Sequence, residues 1–251
     1  MTAEQWARTV RHQLGLGRLL PLGGPRDGAW ISEEVAQGVL RAAVRGLPDV
    51  RLGAVRIGLA DPEDTHEPAV PPPPSALPPG PLRVTAEFEA TPARPLTVTA
   101  ERLRTALAGA AERLLGLELG EVDLRVTALV DEDAEPSPVR QPEPPRAVAA
   151  GPGDEALAAG AALSVSGVDR LTGLLGRPVH IGDRETGDGS LPRRHVRVEL
   201  AVGADRRALD VAREVRTAVG AVLADRPTVA VLVTGAVIQG RPADHGGRRG
   251  L

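Results

Sequence analysis

Proline decides where this chain can be regular. Each proline fixes its own φ and has no amide to donate, so a run of them fits neither a helix interior nor a central strand. The chain of 251 residues holds 24 prolines, most of them in two stretches. The first is 61–81, DPEDTHEPAVPPPPSALPPGP, and the second is 131–153, DEDAEPSPVRQPEPPRAVAAGPG. Both are acidic and favour an extended polyproline conformation. The second is nearly free of large apolar groups and reads as a linker. The chain therefore divides into an N-terminal arm (1–27), a first unit (28–130) interrupted by a Pro-rich insertion (61–81), the linker (131–153), a second unit (154–238) and a tail (239–251).

The pattern within each unit predicts an α+β fold, built of two tandem helix-strand-strand-helix-strand units. In the first, Ser32 or Asp27 can cap a helix whose inner face is Ile31, Val35, Val39 and Ala43. Gly46 and Pro48 end it, and the strand VRLGAVRIGLA follows. After the insertion, LRVTAEFEA alternates Leu82, Val84, Ala86 and Phe88 on one face. A helix striped with Leu103, Leu107, Ala110 and Leu114 begins at Thr97 or Thr99 and stops at Gly116; EVDLRVTALV is the last strand. In the second unit, Asp154 caps a helix with Leu157, Ala161 and Val165 inward. The strands RPVHIGD and HVRVELAV follow, joined by the turn region TGDGSLP. Asp205 caps a helix carrying Val211, Val215, Ala218 and Val222, and Pro227 introduces the strand TVAVLVTGAVI.

The letters repeat as well. Leu103-Arg-Thr-Ala-Leu corresponds to Val215-Arg-Thr-Ala-Val, and Val126-Thr-Ala to Val233-Thr-Gly. Each unit is expected to be a small three-stranded sheet covered by two helices. The polyproline stretch then lies in a strand connection, so its ends should be close together, and it is expected to be a stiff, solvent-exposed insertion.

Composition narrows the function. Aromatic residues are only Trp6, Trp30 and Phe88, so there are few platforms for bases or flat cofactors. Every basic residue is Arg. The net charge of −3 is carried by the two acidic stretches, offset by the arm and the tail, which leaves the units near neutral. Nucleic-acid binding needs a basic face, for which near-neutral units are poor evidence, local patches of Arg aside. Cysteine is absent, which excludes disulfides and thiolate catalysis. The first residues, MTAEQWARTV, do not read as a signal peptide, and no apolar run approaches a membrane span.

No constellation points to catalysis. Of the histidines, His12, His66 and His245 fall in arms or loops. His180 and His195 fall on strands flanking one turn and, with Asp183 or Glu185, are the nearest approach to a metal pair. Ser164 and Ser166 lack a nucleophile-elbow context. Asp131-Glu-Asp lacks calcium-loop spacing. Glu33 and Glu34 are adjacent and diverge on a helix. Gly15-x-Gly17 and Gly23-Gly24 match no phosphate-loop or dinucleotide pattern. Pro71–Pro74 is a candidate docking run for an aromatic-lined groove. No residue is assigned a catalytic, cofactor-binding or metal role, no partner-binding residue is assigned, and no cofactor is expected.

Ser166-Gly-Val168, Leu171-Thr-Gly-Leu, HVRVELAV (195–202), DVAREVRTAV (210–219) and VAVLVTGAV (229–237) together resemble the alkaline-shock and general-stress envelope protein family of Gram-positive bacteria. The resemblance covers 154–238. Residues 28–130 look like a degenerate first copy, and the composition is similar to that of actinobacterial, streptomycete members. It implies a non-enzymatic, cytoplasmic structural or adaptor protein, tied to envelope stress, that associates with itself or another protein. It also implies a place at the inner face of the cell membrane through a partner. Typical members have one domain and a Tyr-Gly where Val202-Gly203 stands here. The alternatives are a nucleic-acid-binding protein of KH-like modules, though neither unit has the G-x-x-G loop with basic residues, and an enzyme centred on His180 and His195.

Overall fold

The computed structural model describes residues 17–131, 146–184 and 193–237. The helix expected near the N-terminus (3–14), linker residues 132–145, Glu185 with the TGDGSLP turn, and the tail lie outside them. Among the described residues the fold is α+β, with four helices and two sheets. In chain order the elements are β1 (Leu19–Pro21), β2 (Ala29–Ser32), α1 (Glu33–Val44), β3 (Val50–Leu59), β4 (Leu82–Ala90), α2 (Leu96–Ala110) and β5 (Leu119–Leu129). Then come α3 (Asp154–Leu163), β6 (Val168–Leu171), β7 (Val179–Arg184), β8 (Arg193–Val202), α4 (Ala208–Val222) and β9 (Thr228–Ala236).

The first sheet is three-stranded in the order β3-β4-β5, with β3 antiparallel and β5 parallel to β4. The second is six-stranded, not three-stranded as expected. Its path is β1-β2-β9-β8-β6, and β7 also pairs with β8. There too the hairpin β7-β8 is antiparallel and β9 is parallel to β8. The additional strands are short. Leu19–Pro21, in a stretch read as irregular, pairs antiparallel with β2 and is buried. β2 in turn pairs parallel with β9, Trp30 standing opposite Leu232. Ile31, expected on a helix face, is a β2 residue; the helix begins after it, with the Ser32 hydroxyl accepting from Val35 N.

One apolar core joins the halves. It runs from Val84, Ala86 and Phe88 of β4, through Leu40 of α1, Leu107 of α2 and Val215 of α4, to Val196, Val198 and Val231 of the second sheet. α1 packs against both β3 and β9. Three expected helix details differ. α2 starts after Pro95 without a side-chain cap, and Thr99 is buried. α3 starts after Gly153 and buries Ala158, Ala159 and Ala162, leaving Leu157 half exposed, so its inner face is turned from the expected one. α4 starts after Arg207 rather than Asp205, and Val219, not Val222, completes its buried face. α2 ends in a π turn (Ala111–Leu115) closed by Gly116 at φ +89°.

The Pro-rich insertion is not a free spacer. Its ends do meet, with Ala60 N–H donating to Pro81 O at 2.8 Å and His66 N–H to Pro79 O at 2.8 Å. Its middle lies along β1, where Leu77 N–H donates to Leu19 O at 2.8 Å. There Val70 and Ala76 pack with Leu19, Trp30, Ala230, Leu232, Leu174 and Leu175 in a second apolar cluster, separate from the main core. Leu77 O also accepts from the Trp30 indole N–H. Trp30 needed a cover, and the apolar residues between the prolines supply it.

Candidate functional site at the junction of the sheets

A cavity of about 980 Å³ opens where the two halves meet. The β1–β2 turn forms one wall, the π turn after α2 another, and the start of α4 a third; His66 of the insertion stands at its rim. Asp27 organises the turn. Its carboxylate accepts from Gly24 N at 2.9 Å, and from Arg213 Nε at 2.7 Å and Nη2 at 3.1 Å. Arg216 Nη1 donates to Arg26 O at 2.8 Å while its Nε donates to Val229 O at 2.9 Å, which ties the turn to β9. Arg207 Nε donates to Glu112 O at 2.9 Å across the junction. Gly116 is required here: a Cβ on it would lie 2.5 Å from the Leu209 Cβ. Burial pushes the Asp27 carboxyl up, but the Arg213 hydrogen bond, the Gly24 amide and the charges of Arg213 and Arg216 outweigh it. The net pKa is below the usual carboxylate value.

The chemistry of this cavity is that of a mixed-charge surface. Arg26, Arg207 and Arg213 face Asp27, Glu112 and Glu118. Gly23-Gly24 does line it, yet these amides are spent: Gly23 N–H donates to Gly116 O at 3.1 Å, and Gly24 N–H to Asp27. The arrangement suits polar contacts with a polypeptide better than capture of a phosphate.

His180 and His195 lie on paired strands, but His180 stands opposite Arg197 and His195 opposite Gly182. The His195 ring meets the Thr228 hydroxyl at 2.8 Å. Burial, and then the charge of Arg197, hold the His180 pKa below its ordinary value. No cluster of three metal-ligating side chains occurs among the described residues. Ser164 donates to Ala161 O at 2.8 Å, as a helix-end residue does. Glu33 and Glu34 diverge. The buried Glu33 accepts from Arg18 Nε, Gln37 Nε2 and Ile57 N, which makes it a clamp between the residue before β1, α1 and β3. Pro71–Pro74 belongs to the segment laid over the second sheet, with Pro73 buried.

Sequence reasoning missed one buried ionic pair. Glu199 is 0% exposed on the face of β8 turned away from the helices. Its Oε2 accepts from Leu175 N at 3.0 Å, and Arg197 Nη2 lies 3.3 Å from its Oε1. That approach lacks hydrogen-bond alignment, and Glu199 Oε1 and Arg197 Nε have no hydrogen-bond partner among the described residues. Burial pushes the Glu199 carboxyl up, against the pull of the Leu175 amide and Arg197. The Arg-Val-Glu alternation reads as a solvent face; only the cover of the six-stranded sheet makes it an interior.

The margins of the sheets differ as well. α1 occupies the outer margin of β3: Gln37 Nε2 donates to Val55 O at 2.9 Å and Arg41 Nη1 to Leu52 O at 3.2 Å. The insertion occupies β1, and beyond β6 Val148 N–H donates to Leu171 O at 3.3 Å. β5 is 11 residues long, yet no strand or loop among the described residues pairs along its outer margin; Arg104 Nε alone is seen to reach it, donating to Val122 O at 3.3 Å. Val126 and Leu129 are 38% and 62% exposed. Because α2 carries the chain back from the end of β4, its exposed Leu96 and Val98 lie at the same end of the sheet.

No protein-family model matches the chain, and no curated protein matches it in sequence.

Proposed function

We propose that this chain is a non-enzymatic structural or adaptor protein of the envelope-stress type, working through protein–protein association. Its halves are two copies of one helix-strand-strand-helix-strand unit, and it sits at the inner face of the cell membrane by holding a partner. The observation that carries this is the margin of β5, uncovered among the described residues, and its apolar flank, Val126 and Leu129 beside the start of α2. A long strand edge with exposed apolar side chains is a template for another chain, and natural proteins otherwise cover it. The copy reading is supported by strand direction. In each half an antiparallel hairpin is followed by a helix and a third strand parallel to the second. The membrane would be reached through a partner, since no described helix is long and apolar enough to cross it.

Affinity capture of the full chain from its native cells, with the membrane fraction assayed beside it, tests the reading. A stoichiometric partner is expected, with membrane partition that depends on it. A strictly monomeric chain with neither partner nor membrane association overturns the proposal.

A further inference from the structure

We infer that a second copy of this chain pairs along β5, antiparallel, about a two-fold axis at Leu124. The inference rests on the association reading above and names its partner. An antiparallel pair of identical strands must match each residue i with a residue j whose own partner is i. With the axis at Leu124, Val122 meets the partner's Val126 and Leu119 meets the partner's Leu129. Asp123 meets the partner's Arg125, and Arg125 the partner's Asp123. Apolar residues thus face apolar ones on the helix side, and opposite charges face each other on the outer side.

Neighbouring registers lose this match. An axis at Asp123 or Arg125 sets like charges face to face. An axis at Val122 sets Glu121 against Asp123. The charges are available: the Asp123 and Arg125 side chains are 60% and 77% exposed, each held within its own chain at only 3.5 Å, by Arg83 and Glu87. In a parallel ladder alternate residues of β5 bond to β4, and the others present amide and carbonyl outward for a new strand. Arg104 does not close the edge, because the Val122 carbonyl it meets has a second lone pair. The product is one sheet continuous across two copies, with helices on one side and charged side chains on the other.

The absence of native cysteine gives a direct test. Residues opposite each other in an antiparallel hydrogen-bonded pair have Cα atoms about 5.5 Å apart, within disulfide reach. Leu124→Cys is expected to form a disulfide-linked dimer on mild oxidation, and Leu129→Cys, which faces position 119, is expected not to. By sedimentation equilibrium, D123R and R125D alone should each weaken dimerisation of the full chain about tenfold or more, and D123R/R125D should restore it. Circular dichroism checks that each variant is folded; if a charge variant is not, the cysteine pair decides. The inference is overturned if the wild-type chain stays monomeric to about 1 mM, if Leu129→Cys cross-links as readily as Leu124→Cys, or if the double variant fails to restore what the folded single variants lose. A monomeric chain that still captures a stoichiometric partner overturns the dimer and leaves the association reading standing; a chain that does neither overturns both.

Discussion

The two sheets share a pattern of strand directions and differ in what covers them. The first has helices on one face and water on the other, where Arg83, Glu121 and Asp123, and Arg125 with Glu87, form ion pairs in the open. The second has helices on one face and the Pro-rich insertion with the β6–β7 loop on the other. A sheet with one wet face can carry charges cheaply, while a sheet covered twice must pair every charge it holds or bear its desolvation. The same alternating pattern therefore has opposite consequences in the two halves: Glu87 is a surface group, and Glu199 is an interior one.

The contrast can be broken most severely at Trp30. Trp30→Ala should cost about 3–5 kcal/mol, read by urea unfolding, because the indole fills the space beneath the insertion. A loss near zero would mean that the insertion does not cover that face. The ionic pair beneath the same cover comes next. Glu199→Leu alone should cost about 3 kcal/mol by leaving Arg197 without its counter-charge, whereas R197M/E199L should return close to wild-type stability or exceed it. Equal losses in the single and double variants would show that the pair is not buried together.

A pH series sharpens the comparison further. The folded pKa of Asp27 is lowered, so its stabilisation is present above the ordinary aspartate value of 3.8 and is lost as pH falls through the folded pKa. Glu199 is raised, so its charged form is a burden above the ordinary glutamate value of 4.5, relieved as pH falls through its folded pKa. Asp27→Asn should therefore flatten the acid-side decline in stability, and Glu199→Gln should steepen it, in thermal unfolding from pH 3 to 7. The smallest effect belongs to the wet face: Arg83→Ala should change unfolding free energy by less than about 1 kcal/mol, and less still in high salt.

Much of the first sheet is legible in the sequence because its strands are long and half-buried. Leu82, Val84, Ala86 and Phe88 alternate cleanly with polar residues, and one face is wet. Ser32 and Gly116 are legible because their chemistry is local: a hydroxyl beside a free amide, and a residue that tolerates positive φ. β1 and β2 are not, since three or four residues carry too little pattern and the strand that brings the pair into the sheet, β9, lies far along the chain. The cover over Trp30 is hidden because prolines dominate the insertion, while Val70 and Ala76, which do the packing, are sparse. At the junction Arg213 reads as an ordinary exposed helix residue; only the fold brings Asp27 to it. The His180 and His195 strands are legible, but their register, which places an arginine between them, is not.

The parallel pairing of β2 with β9 also dictates the order in which the molecule can be finished. Trp30 and Leu232 are neighbours in the sheet but roughly two hundred residues apart in the chain. A ribosome adding about 5–20 residues per second needs on the order of ten seconds or more to bridge them. Throughout that interval β2 has left the exit tunnel with β1 beside it but its β9 side unpaired, and Trp30 has only half of its enclosure. The second sheet is a non-local structure of the slow-forming kind, so a nascent chain stalled before β9 would display an aromatic, edge-exposed segment to whatever chaperone is nearby.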